Sequence, residues 1–393
     1  MGGVTSGLTV LELGEGFASS YGAKLLADHG SEVIKVEPPE GDRLRRAGPF
    51  RDDEPSIDGG GLWNFLNTSK RSVTIDRATR EGQRLVGRLI EQADVVVHTL
   101  VGAARADLGL GTPERDEAGL VEVAVTPYGL DGPYRDFARE PITLAALSGW
   151  MFCMGDQDRA PLFPGGPYIE YLAGISAAAG ALIGVAAKAK TGLGQVVDVS
   201  EFEVGVEALV FDPSRYSYAG TNRTRTGDLY GGDPMAALYP CADGYFQFHA
   251  GRAAPALLRV VGGDQLATDD RFRTPKSRFE NRDALRQALI DGLADKRRWE
   301  LFEQCGQDHI VVGAVPDMAD LLELAPHRER GYFHRLGHGP LADVPVPGPP
   351  IRFGDGEWRS DPAPGLGTSN QDVLSDRPQR GGDPAGPGTG GGR

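Results

Sequence analysis

Glu170 is the residue best placed to do chemistry. It follows a turn-forming run, Pro164, Gly165, Gly166 and Pro167, and opens a long helix built almost wholly from small residues. The first amide groups of a helix have no intrahelical acceptors, so an acid placed there is stabilised as the anion. The plain alternative is that Glu170 does no more than cap its helix. A second group of residues suits an anionic ligand. Arg43, Arg45 and Arg46, with Lys70 and Arg71, are well able to bind phosphate in an otherwise acidic chain. Taken singly, each is equally an ordinary surface charge.

The helix that carries Glu170 sets the local architecture. Gly174, Ala177, Ala178, Ala181 and Gly184 recur at three- and four-residue spacing, which leaves one face nearly bare backbone for close packing. Lys188 and Lys190 suit the last turn, Gly192 and Gly194 end it, and a strand over Val196 to Ser200 follows. The uncharged run from Leu172 to Ala187 is short for a membrane span and rich in Gly and Ala, so a buried helix is expected.

The bulk properties set bounds. A chain of 393 residues has room for two domains, and 40% hydrophobic with 24% charged residues is the balance of a soluble globular protein. A net charge of -14 disfavours nucleic acid as a partner. Three widely spaced cysteines, with no C-x-x-C pair, suit a reducing cytoplasm better than a disulfide framework. No signal peptide or membrane anchor is read. The seven histidines are scattered, and neither H-E-x-x-H, a P-loop nor a G-x-S-x-G elbow occurs. No metal site is expected.

The first half alternates strands with helices. Strands are predicted over Leu8–Leu13, Glu32–Glu37, Ser72–Asp76, Asp94–His98 and Leu120–Thr126, with helices over Ala18–His29 and Thr79–Gln92. This alternation implies right-handed crossovers and an α/β fold with a parallel sheet, whose ligands lie beyond the carboxyl ends of the strands. From about Arg223 the texture shifts to mixed strands and helices. The expected organisation is a discontinuous large domain (1–225 and 340–376), a small α+β domain (226–339) and a disordered tail (377–393) without an apolar core of its own.

Several blocks then stand in a recognisable order. They are LLADHGSEVIKVEPPEGDRLRR, NTSKRSVTID, ADVVV…LGL, YGLDGP, the stretch from Glu170 through TGLGQVVDVS, VVGAVPDMADLLELAPHRERGYF and APGLGTSNQDVL. In that order the chain closely resembles the class III CoA-transferases, the CaiB/BaiF and formyl-CoA transferase family. Glu170 stands where the family has its catalytic aspartate. The resemblance implies a Rossmann-like large domain, a small domain and an interlocked homodimer. It also implies that CoA moves from an acyl-CoA to an acceptor carboxylic acid through a glutamyl anhydride and an enzyme–CoA thioester. Coenzyme A is then substrate, with no permanently bound cofactor.

For the CoA contacts the resemblance points to Arg43, Arg45, Arg46, Asn67, Lys70, Arg71 and Tyr128. Gly231 and Gly232 are candidates for a glycine loop over the site, or equally for a plain interdomain linker. The chain departs from the family pattern at His98 to Gly102, where E-N-F-x-P-G is usual, and at Asp107, where an arginine is usual. A racemase relative pairs its aspartate with a histidine; here Glu140 occupies that place, which disfavours racemisation. The alternative to a transferase is a divergent homologue that keeps the fold as a binding or partner subunit, or as another acyl-thioester enzyme.

Overall fold

The structure, a computed structural model, describes residues 3–354 and 358–375. The tail over 377–393 lies outside the described residues.

Six parallel strands form the main sheet: β1 (Thr9–Glu12), β2 (Glu32–Glu37), β3 (Lys70–Thr74), β4 (Val95–His98), β5 (Val121–Thr126) and β6 (Gln195–Ser200). Their order is β3-β2-β1-β4-β5-β6, with Val10 of β1 opposite both Val33 and Val95. The chain therefore reverses its direction of progress between β1 and β4, the switch point at which such sheets open a crevice for ligands. The strands EVIKVE and VEVAVT are buried along almost their whole length, charged residues included, as a sheet covered on both faces requires.

The covering helices include α1 (Phe17–Asp28), α2 (Arg80–Gln92), α3 (Pro141–Leu147), α4 (Tyr168–Thr191), α5 (Glu201–Glu207) and α6 (Phe211–Ala219). On α2 the buried residues are Gly82, Val86, Leu89 and Ile90, one helical face, and the Thr79 hydroxyl accepts from the amide of Gly82 to start it. The buried face of α4 is Ala173, Gly174, Ala177, Ala178, Ala181 and Gly184, the small-residue stripe expected from the spacing. It packs on α1 at very close range. A Cβ on Gly174 would lie 2.8 Å from the carbonyl oxygen of Ala18, and one on Gly22 would lie 2.9 Å from that of Gly174. Gly192, left-handed at φ 76°, ends α4.

Among the described residues α4 alone is long and apolar enough to cross a membrane by length and composition. One face of it is occupied by α1 and the sheet; the other leaves Ile175, Leu182 and Ile183 exposed.

Beyond α6 a separate antiparallel sheet forms from β7 (Ala236–Cys241), β8 (Gly244–His249) and β9 (Val312–Ala314). It has its own apolar cluster, in which Tyr239, Phe246 and Phe248 meet Leu257, Leu285 and Leu289. The chain then returns. The Ser72 hydroxyl accepts from the amide of Gly367 at 2.9 Å, and the Asn370 side-chain oxygen accepts from that of Thr74 at 2.8 Å. Residues 361–374 thus cover the otherwise open edge strand β3.

β3 corrects one boundary. It begins at Lys70 rather than Ser72, because the charge of Lys70 is neutralised inside the sheet layer.

Candidate active site

Glu170 occupies the first turn of α4 and is 1% exposed. Its carboxylate sits at the carboxyl end of the sheet, between the loop that follows β5 and the start of α5. Arg139, from that loop, donates from Nη1 to Oε1 of Glu170 at 3.3 Å. Burial raises the Glu170 pKa above the ordinary carboxylate value. Its own helix amide and Arg139 oppose that rise, while the charge of Glu140 adds to it.

A second buried acid shares the arginine. Glu201 is the first residue of α5, immediately after Ser200 of β6, and the Ser200 hydroxyl caps the helix by accepting from the amide of Glu203. Arg139 donates from Nη2 to Oε1 of Glu201 at 2.8 Å. The other oxygen, Oε2, is buried with no hydrogen-bond partner among the described residues. Burial pushes the Glu201 carboxyl up to about 7; Arg139 pulls against this, and the negative charge of Glu170 reinforces it. The arrangement is one guanidinium forked between two acids, and it was not legible as a motif.

The basic cluster separates. Lys70 has a side chain with no exposed surface. Its ammonium donates to Oε2 of Glu12 at 2.7 Å, to the Ser20 carbonyl at 2.8 Å and to Oδ1 of Asn67 at 2.9 Å. All of its protons are used, so neither Lys70 nor the fully buried Asn67 presents its side chain to a ligand.

Arg45 is likewise internal. It grips Glu37 through Nε at 2.6 Å and Nη2 at 2.8 Å, also pairs with Asp58, and lies 3.6 Å over the Trp63 ring. Arg71 is drawn to Glu32 at 2.7 Å and to Asp372 at 3.6 Å. The side chains of Lys70, Asn67 and Arg45 are thus engaged inside the protein, and Arg71 is paired at the surface.

Arg43 and Arg46 remain exposed, on the 3₁₀ turn Arg43–Arg46 that follows β2. Arg46 donates to the carbonyl of Glu40, whereas Arg43 makes no hydrogen bond or salt bridge among the described residues. The Arg43 guanidinium reaches the turn between β1 and α1, 3.3 Å from where a Cβ of Gly16 would lie. That is the switch point of the sheet, and Glu201 feels its charge. Tyr128, after β5, is half-buried against Phe202, the neighbour of Glu201.

The departures after β4 have a structural use. His98 and Arg105 both bind Oε1 of Glu122, at 2.9 and 2.6 Å, and Asp107 lies exposed beyond them. Gly231 and Gly232 fall in a single 3₁₀ turn, Tyr230–Gly232. A groove of about 990 Å³ runs beside that turn, lined by Leu209, Phe211, Arg215, Tyr218 and Tyr230, and includes none of the residues around Glu170. Among the described residues no group of three or more His, Cys, Asp or Glu side chains is placed to hold a metal ion.

Known proteins place this geometry in context. The chain is 37% identical over 292 residues to the succinyl-CoA–D-citramalate CoA-transferase of Chloroflexus aurantiacus, a match spanning 72% of this chain and 70% of that protein. It is 27% identical to the succinate–glutarate CoA-transferase of Agrobacterium fabrum over 94% of this chain and 95% of that one. The crystal structure of a CaiB/BaiF family protein from Brucella suis superposes with a TM-score of 0.85 at 27% identity, covering 95% of this chain and 99% of its own. The model of CoA-transferase family III matches residues 5–370. The chain belongs to CoA-transferase family III.

Proposed function

We propose that this chain transfers CoA from an acyl-CoA thioester to an acceptor carboxylic acid, with Glu170 as the nucleophile. The observation that carries the reading is a buried carboxylate in the first turn of α4, at the ligand edge of the sheet, in a chain of this family. A Glu170 oxygen bonds to the thioester carbonyl carbon, the C–S bond breaks, and the CoA thiolate leaves with the electron pair. The thiolate then attacks the glutamyl carbon of the anhydride and expels the donor acid. The acceptor carboxylate attacks that glutamyl thioester, and the released thiolate takes the new acyl group, which frees Glu170. One difficult exchange becomes four easier ones, and charge balances at each.

The relatives named above act on succinyl-CoA with D-citramalate and on succinate with glutarate, so short dicarboxylic acids are the first substrates to try. Arg43 is the group proposed to meet CoA phosphate, with Arg46 beside it and Tyr128 lining the approach. A homodimer is the proposed assembly. It is supported by apolar side chains left exposed on α4 (Ile175, Leu182, Ile183) and on α6 (Phe211, Tyr218), which a second copy would cover. The reducing cytoplasm is the proposed location, supported by Cys153, Cys241 and Cys305 all being free.

The test is covalent trapping. Incubation with succinyl-CoA, then hydroxylamine or borohydride, is expected to mark Glu170 as the hydroxamate or the alcohol, read by peptide mass spectrometry. If no acyl-CoA in a panel of short mono- and dicarboxylates labels Glu170 or is turned over, the transferase reading is wrong. The chain would then be a homologue that kept the fold without the chemistry.

A further inference from the structure

Arg139 divides its fork between two acids that are themselves almost wholly buried. The contact to Glu201 is the shorter, 2.8 Å against 3.3 Å for Glu170. A guanidinium holds its charge at any working pH, so the two carboxylates compete for one fixed cation. An ion pair kept only for stability would satisfy its remaining lone pairs, yet Oε2 of Glu201 is buried and unpartnered. An acid wanted merely to complement the dipole of α5 would serve as well exposed, without that desolvation cost.

We propose that Glu201 is a positioning residue: by holding one arm of Arg139 it fixes the guanidinium beside Glu170 and limits how much of its charge Glu170 receives. The inference rests on Glu170 being the nucleophile. Full pairing would hold Glu170 strongly as the anion but blunt its attack on a carbonyl. No pairing would leave a buried acid protonated and inert. A shared arginine sets the carboxylate between these extremes.

The groups that act on the pair are few. Arg139 and Glu140 come from the segment that opens α3, Glu170 from α4, and Glu201 from α5. Arg43 approaches from the turn after β2, and the Tyr128 phenol stands behind Phe202. Proton uptake by Glu201 weakens its hold on Arg139 and hands that charge to Glu170. The two acids are thereby coupled in opposite senses through one side chain.

The experiment titrates both acids directly, with or without turnover. In the full-length protein labelled with carboxyl-13C glutamate, the Glu170 and Glu201 resonances are identified by their loss in Glu170→Gln and Glu201→Gln. Because the ionised Glu170 helps hold the Glu201 carboxyl up at about 7, the coupling is read on the Glu201 midpoint: Glu170→Gln is expected to move it down by about one pH unit, a tenfold change in proton affinity, because Arg139 then serves Glu201 alone. Arg139→Gln is expected to move it up, with Arg139→Lys in between.

A residue acting only as packing would move neither. Where Glu170→Gln does not fold, Glu170→Met makes the same comparison. The kcat/KM profile for CoA transfer should change slope through the parent's Glu201 midpoint. A Glu201 midpoint equal in the parent and in the Glu170 variant overturns the proposal. Midpoints that move as stated, in a protein that turns over no acyl-CoA, overturn the transferase reading instead and leave the coupling standing.

Discussion

The ammonium of Lys70 and the carboxylate of Glu12 meet at 2.7 Å, with no exposed surface on either side chain. Glu12 also receives Lys35 at 2.7 Å and the Ser20 hydroxyl at 2.9 Å, and Lys35 reaches Asp42 at 2.8 Å. β1, β2, β3 and α1 are thus tied through one carboxylate. Burial alone would push the Glu12 carboxyl up. Lys35 and Lys70 together outweigh it and hold the pKa at about 2.

Glu12→Gln leaves two buried ammonium groups short of countercharge, a change that costs about 3–5 kcal/mol when a buried pair is broken. Urea unfolding at neutral pH should show a loss of that size; a loss below about 1 kcal/mol would mean the network is not holding the sheet. The folded pKa lies below the unfolded one, so this contribution is complete above about 4.5 and is lost as the pH falls toward about 2. Charge reversal at Lys70 should therefore register as unfolding rather than as weakened CoA binding.

Glu201 has the opposite sign. Its folded carboxyl titrates at about 7, against an ordinary value of 4.5. Between those values the folded state holds a proton that the unfolded state has lost, so stability falls as the pH rises through this window. Glu201→Gln removes the charge without removing volume. It should be more stable than the parent by about 1–3 kcal/mol at pH 8, and nearly equal to it at pH 5. Equal stabilities at both pH values would show that Glu201 ionises in the fold as freely as in water.

Two helical glycines should respond to alanine in opposite directions. Gly87 of α2 has open space where a Cβ would go, so Gly87→Ala should gain about 0.5–1 kcal/mol, the usual helix preference. Gly174 of α4 has the Ala18 carbonyl oxygen at 2.8 Å from that position, so there the clash outweighs the preference. Gly174→Ala should lose about 1–3 kcal/mol. Denaturant midpoints of the two variants decide it, and a gain at Gly174 would show that α1 and α4 can separate without cost.

Much of this was readable in the sequence, for physical reasons that differ by element. EVIKVE forms β2 over its own six residues: Val33, Ile34 and Val36 are buried in the doubly covered sheet, and Lys35 and Glu37 are buried against ion-pair partners. The stripe on α4 was legible because helical spacing alone fixes which residues share a face. The helical segment Ala254–Ala267 breaks at Gly262 and Gly263, which leave helical geometry, as residues without a Cβ readily do. β7 went unread, since Pro240 within it argues against a strand when no partner is known.

The site was half legible. Glu170 stands out by its place in a patterned stretch. Arg139 and Glu201 do not, because their meaning lies in three segments brought together by the loop after β5, the start of α4 and the end of β6. The partners of Lys70 and Arg45 were illegible for a related reason. A sequence shows a charge but not the acid folded against it.

Among the described residues, Arg43 is the basic residue with a free guanidinium at the switch point. Arg43→Gln should weaken CoA binding by about tenfold and flatten its dependence on salt, as loss of one charge-assisted phosphate contact would. Arg71→Gln should leave both unchanged, since that side chain belongs to Glu32 and Asp372. Calorimetric titration at two salt concentrations separates them. The same loss in both variants would mean that CoA lies across β3 rather than at the β1 turn.

The length of the Glu170 arm is the sharpest point at which this chain can be questioned. The carboxylate is buried and its Oε1 sits 3.3 Å from Arg139, whose other arm is anchored on Glu201. The guanidinium is therefore fixed from the far side and cannot follow a shorter side chain inward. Glu170→Asp withdraws the reacting oxygens by about the length of one methylene, and a misplacement of that order can cost on the order of a hundredfold in rate. Glu170→Gln keeps the shape and removes the nucleophilic anion, so transfer should fall by several orders of magnitude while CoA still binds. In single-turnover assays with the best acyl-CoA, the expected order is parent, then Asp, then Gln. An Asp variant as fast as the parent would mean that the pocket remains built for the shorter acid and that Arg139 does not define it. A Gln variant as fast as the parent would reduce Glu170 to a helix cap.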